Sequence, residues 1–123
     1  MNALNNKINV SNNLTSQSLF GLFELDSTGK VLYSKVESDG IFDNRKTSLA
    51  GLNFYDEVVT FKNVGEFRRH LDQFTNGGDP VGNFDFVCRF DDGCEQIKVR
   101  LVRVSEREYD GRAKLTIVDI RKV

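Results

Sequence analysis

Few side chains of this 123-residue chain carry chemistry: two cysteines, Cys88 and Cys94, one histidine, His70, and carboxylates among turn-forming residues, Asp39, Asp43, Asp56 and Glu57. A tetrahedral zinc site takes four ligands, so two cysteines and one histidine do not complete one without carboxylate help. Two cysteines also make no disulfide framework. His70 lies within Val64–Phe74, where Phe67, Leu71 and Phe74 recur at helical spacing. It falls about 60° from the centre of that apolar stripe and follows Arg68 and Arg69, which places it on a solvated flank. Carboxylates in turns and at helix starts serve as caps or solvated charges, and no acid–base or nucleophile–base constellation accompanies them. The residues predict neither a metal centre nor an enzyme.

Composition narrows the classes further. Seventeen basic and 18 acidic side chains give a net charge of −1, which removes the basic footprint of a general nucleic-acid binder. No stretch approaches the ~20 apolar residues of a membrane helix. Met1–Gln17 is asparagine-rich and lacks the apolar core of a signal peptide, so a soluble cytoplasmic protein is expected. Ten phenylalanines against one proline provide for one packed core. The reading is a polar leader over 1–17, with Leu4, Ile8, Val10 and Leu14 as its apolar residues, and one domain over 18–123.

The elements that must position these groups follow from periodicity. Two apolar runs, Leu19–Leu25 and Lys30–Tyr33, flank Asp26-Ser27-Thr28-Gly29 and predict a hairpin. Short helical pieces follow, then the Val64–Phe74 helix, ended by Asn76-Gly77-Gly78-Asp79-Pro80 with a left-handed glycine. Three strands complete the chain. Phe84, Phe86, Cys88 and Phe90 alternate with polar or outward positions, as do Ile97, Val99 and Leu101, and Leu115–Ile120 supplies the last strand. With Asp92-Gly93 as a two-residue turn, Phe84 faces Leu101, Phe86 faces Val99, Cys88 faces Ile97 and Cys94 faces Asp91. The result is an α+β fold: a five-stranded antiparallel sheet with helices on one face and an N-terminal cap.

This order resembles the PAS domain and, in detail, its photoactive-yellow-protein branch. The resemblance is carried by Leu25-Asp26-Ser27-Thr28-Gly29-Lys30-Val31-Leu32, Gly51-Leu52-Asn53-Phe54, Glu66-Phe67, Phe84-Asp85-Phe86 and Lys98-Val99-Arg100, in step from the first hairpin to about Leu101. Val118-Asp119-Ile120-Arg121 is similar to the Asp-Ile-Thr close of many PAS domains, with arginine for threonine. In that branch a cysteine before the long helix holds hydroxycinnamate as a thioester, supported by a tyrosine, a glutamate, a threonine and an arginine. The in-step residues are Phe61, Ser34, Ser38, Phe42 and Asn44, so none of the five matches. Phenylalanine has no nucleophile, and covalent attachment at Phe61 is excluded chemically.

The resemblance implies a pocket walled by Phe42, Leu49, Phe54, Phe61, Phe67 and Leu71, with Ser34, Ser38 and Asn44 as polar groups. Either Phe42 and Phe61 fill the chromophore's volume, so that no cofactor is bound, or a small molecule binds non-covalently. A heme held by His70 is a further alternative, because heme-binding PAS domains take their ligand from this helix. The Asn-Cys-Arg context of flavin-binding relatives does not occur. A cone-shaped isomerase fold is disfavoured by the lack of long N-terminal helices. The expected function is a sensory or protein-interaction module. Its partner would be a separate signalling protein or a second copy, met through an outer sheet face of Val87, Val102, Val104, Val118 and Ile120.

Overall fold

The computed structural model describes residues 19–37, 42, 48–104 and 115–123. The predicted leader, together with Ser38, Asp39, Asp43 and Asn44, lies outside them. The described elements are β1 (Leu19–Asp26), β2 (Val31–Val36), a helical turn (Phe54–Val58), α1 (Val64–Asn76), β3 (Val81–Phe90), β4 (Gly93–Val104) and β5 (Leu115–Lys122). The strands form one antiparallel sheet in the order β2-β1-β5-β4-β3, with α1 and the helical turn on one face. This is the predicted PAS-like α+β arrangement.

The first hairpin is fixed by Asp26. One carboxylate oxygen accepts the Thr28 N–H at 2.9 Å, the Thr28 hydroxyl at 2.7 Å and the Lys30 N–H at 2.9 Å. Gly29 closes the turn at φ +90°, where a Cβ would also stand 2.9 Å from the Tyr55 ring. Leu32 is an extra residue in the ladder, since Glu24 pairs with Tyr33 and Leu25 with Val31. Such a bulge twists the strand at a sheet edge.

The second hairpin differs from the predicted register. Its turn is Asp91-Asp92, and Gly93, at φ +148°, begins β4 rather than sitting inside the turn. Phe84 therefore pairs with Val99, Phe86 with Ile97, Cys88 with Glu95 and Cys94 with Arg89. The shift is two residues, which leaves every side chain on its predicted face because strand periodicity is two. That is why the hydrophobic pattern could not detect it.

α1 ends in a way the sequence also did not announce. Gly77 is extended, at φ −89° and ψ −168°, not left-handed. The helix is closed instead by Arg103 of β4. Its guanidinium donates to the carbonyls of Phe74, Thr75 (3.3 Å), Gly77 (2.7 Å) and Asp79 (3.0 Å) and lies 5.2 Å from the centre of the Phe74 ring. A cation here also meets the negative end of the helix dipole. Arg103→Met should lower stability by about 2 kcal/mol, seen as a lower denaturant midpoint at unchanged slope. Arg103→Lys should recover only part of it, because a point charge cannot reproduce the planar fork.

Candidate functional site

The layer between α1 and the sheet is built largely of phenylalanines. Phe42, Leu49, Phe54, Phe61, Phe67 and Leu71, the wall that the resemblance implies, are all buried and belong to one cluster. Phe54 sits edge-on to Phe23 at 4.8 Å between ring centres, and Phe23 edge-on to Phe42 at 4.9 Å. Phe61 meets Phe67 at 5.4 Å, Phe86 at 5.7 Å and Phe90 at 6.4 Å. These distances and tilts are those of favourable aromatic pairs. Sequence reasoning left Phe23 out of this wall, although it is fully buried. Its place depends on Gly21, where a Cβ would come within 2.7 Å of the Phe23 ring and 3.0 Å of the Phe42 ring.

Two backbone joints hold this layer on the sheet. At the first, Phe54 N–H donates to Gly29 C=O at 2.8 Å and Val31 N–H to Leu52 C=O at 2.8 Å. Asn53 caps the helical turn by accepting the Tyr55 and Asp56 N–H groups, each at 3.0 Å, while Glu57 reaches back to the Asn53 N–H at 2.8 Å. Asp56 and Glu57 thus lie at a helix start, as predicted. At the second joint, Asn63 accepts the Arg89 N–H at 3.0 Å and donates to Val87 C=O at 2.8 Å. Lys62 N–H donates to Arg89 C=O at 2.8 Å. This joint covers part of the exposed edge of β3 and sets Phe61 against the core. Asn63 and Arg103 are the residues that sequence reasoning missed; single polar side chains give no periodic signal.

The other predicted groups are spread out. Ser34 is half-buried on β2 opposite Phe23, while Ser38 and Asn44 lie outside the described residues. His70 is on the exposed flank of α1, its ring stacked on Phe84 at 4.3 Å and 6°. Cys88 is fully buried, and burial, helped by the Glu95 charge, pushes its thiol up to about 12. Cys94 is exposed on the other side of β4 from the aromatic layer, sharing the exposed alternation of Gln96 and Lys98. Among the described residues no group of three or more histidine, cysteine or acidic side chains is placed to hold a metal ion. No described helix is long and apolar enough to cross a membrane.

The predicted outer face needs correction. Val118 and Ile120 point into the core and are fully buried. Val118 pairs with Phe23 and Leu101, and Ile120 with Val99; residues directly opposite one another share a face of the sheet. Leu115, Ile117, Asp119 and Arg121 are the outward residues of β5. The face divides in two. Glu24, Ile117, Val102 and Val81 form one row across four strands, and Val104 pairs with Leu115 beside it, so this half is mainly apolar. The other half is charged: Asp85–Lys98 at 3.3 Å and Asp119–Arg121 at 3.0 Å flank Arg100 over a groove of about 340 Å³. Val87 is exposed but lies opposite Gln96, beyond the charged half.

No family model matches the chain. Over 97 residues it is 27% identical to the photoactive yellow protein of Halochromatium salexigens, spanning 79% of this chain and 78% of that protein. The match supports a PAS-like relationship. It agrees with the antiparallel sheet order and the helical layer described above.

Two outcomes follow. Phe61→Ala should cost about 3 to 5 kcal/mol in chemical denaturation and open a cavity for small apolar molecules, because Phe61 touches three other rings. A loss under about 1 kcal/mol would remove Phe61 from the core. Asp26 is the second. Partial burial tends to raise its carboxyl, but the hydrogen bonds from Thr28 and Lys30 and the Lys30 charge outweigh it and hold the carboxyl below its ordinary 3.8. A lowered folded pKa stabilises above the unfolded value and loses that contribution as pH falls through the folded one. The stability advantage over Asp26→Asn should therefore shrink as the solution is acidified below the ordinary carboxylate range. A gap that stays constant would show that the charge of Asp26 is not what holds the turn.

Proposed function

We propose that this protein is a PAS-type sensory or protein-interaction module that works without covalent hydroxycinnamate chemistry and without catalysis, and that its output passes through the outer face of the sheet. The observation that carries this reading is the aromatic layer: Phe42 is buried against the Phe23 ring and Phe61 against the Phe67 ring, at the positions where the resemblance would place a chromophore. Phe61, at the in-step cysteine position, offers no nucleophile. Neither cysteine substitutes for it. Cys88 is held as a neutral thiol at physiological pH, and Cys94 is outside the layer.

The outer face supplies the route for output. Ile117, Val102, Val81, Val104 and Leu115 make an apolar area next to a charged one, a composition suited to reversible cover. Leu19, which follows the leader, pairs with Arg121 at the charged end of that face. The leader's Leu4, Ile8, Val10 and Leu14 are the proposed resting cover, and a second copy or a separate signalling protein takes their place on activation. Burial of each such side chain is worth on the order of 1.5 to 3 kcal/mol before ordering entropy is subtracted, so cover and release are close to balanced.

Treatment of the purified protein with activated hydroxycinnamate should yield no specific thioester and no bleachable visible band. Deletion of residues 1–17 should promote dimerisation in sedimentation and raise dye binding, and Val102→Asp in the truncated protein should reverse both. A specific photobleaching adduct would overturn the first half of the proposal. Equal monomeric sedimentation and equal dye binding with and without the leader would overturn the second.

A further inference from the structure

Between the β1–β2 turn and α1 lies a second, much smaller recess of about 40 Å³, lined by Asp26, Gly29, Tyr55, Asp72, Thr75 and Thr116 among others. Its walls come from four parts of the fold: the first turn, the helical turn, the last part of α1 and β5. Two of the wall residues are deeply buried polar side chains, Tyr55 at 9% and Thr116 at 5% exposure. Thr116 is the buried polar exception among the described core residues. Its neighbours in β5, Val118 and Ile120, use the same face for hydrophobic packing, and a valine would serve strand and packing there without burying a hydroxyl.

Neither side-chain hydroxyl finds a protein partner among the described residues. Tyr55 uses its backbone N–H to complete the Asn53 cap, and its ring is covered by the Arg68 guanidinium at 4.7 Å, a contact with the π face and not with the hydroxyl. Thr75 donates its own hydroxyl to Asp72 C=O at 3.1 Å, which leaves its oxygen lone pairs available as acceptors. A buried hydroxyl without a partner is costly, on the order of 1 to 3 kcal/mol, and native proteins satisfy such groups with protein or with water.

Size and polarity together select the occupant. One water needs about 10 to 15 Å³ measured as probe-occupied volume, so the recess of about 40 Å³ has room for roughly three waters and for no organic ligand. An apolar recess of this size would stay dry, whereas hydroxyls and carboxylates on several sides provide the two to four partners that a buried water requires.

We propose that this recess, which opens to solvent beside Ser27, Thr28, Arg68 and Asp72, is an ordered-water site in which water bridges the Tyr55 hydroxyl of the helical turn to the Thr116 hydroxyl of β5, with Thr75 as a further acceptor. The water then acts as a third joint between the helical layer and the sheet, beside the Asn53 and Asn63 joints. The role of Tyr55 is that of a neutral donor and acceptor. Burial, reinforced by the Asp72 charge and only partly opposed by Arg68, raises its phenol above the ordinary 10.0, which keeps the proton on it throughout the physiological range.

High-resolution crystallography of the full chain tests the site, with transfer of magnetisation from water to the Thr116 amide and Tyr55 hydroxyl as a measurement in solution. Expected are ordered water within hydrogen-bond distance of both hydroxyls, long-lived water contacts at both protons, and loss of these signals in Tyr55→Phe. Thr116→Ser should keep the water and Thr116→Val should lose it. The stability losses of Tyr55→Phe and Thr116→Val should also be far from additive, because each removes the same bridge. A dry recess, a direct bond from Tyr55 to Asp72 or Thr75, or additive losses in the double variant would each overturn the proposal.

Discussion

Phe54 is the point on which the architecture turns. Its ring, fully buried, stands next to Phe23, Phe42, Tyr55 and Phe67, so the sheet, the segment at Phe42, the helical turn and α1 all pack against one side chain. Its backbone is equally committed. The N–H bonds to Gly29 across the first joint, and the C=O accepts the Val59 N–H at 3.0 Å, an i to i+5 bond that makes the turn wider than an α-helix. A residue with both its ring and its backbone engaged cannot shift without disturbing the hairpin and the helix together. Interiors packed at this density respond as units.

The sheet separates two jobs by its pleat. Inward residues of β1, β3, β4 and β5 serve the aromatic core, and the alternate residues build a surface of a different kind, apolar at one end and laced with charge at the other. The ion pairs on that surface are solvent-exposed or partly so and add little stability. A face of this composition suits a cover that comes and goes better than a permanent interface, which would be apolar throughout.

Much of the resemblance to the photoactive yellow protein branch falls on residues that hold the scaffold together. Asp26, Thr28, Gly29 and Lys30 make the first turn, and Leu52, Asn53 and Phe54 make the joint to the helical layer. The turn, caps and core rings thus specify the fold, and a fold by itself does not assign a function.

The sequence by itself determined the order of elements, the inward alternation of β3 and β4 and the apolar stripe of α1. Each is written in a local period of two or in helical spacing, and burial follows from the period. Tertiary structure alone decided the rest. The two-residue shift of the β3–β4 hairpin is invisible to a pattern of period two, and the parity of β5 is not fixed by the length of chain before it, so Val118 and Ile120 were placed on the wrong face until their pairing with Phe23, Leu101 and Val99 settled it. Arg103 and Asn63 act on backbone groups 24 to 29 residues away. No local rule reads such contacts, because a polar side chain's partner is set by where the folded chain brings its unpaired carbonyls and N–H groups.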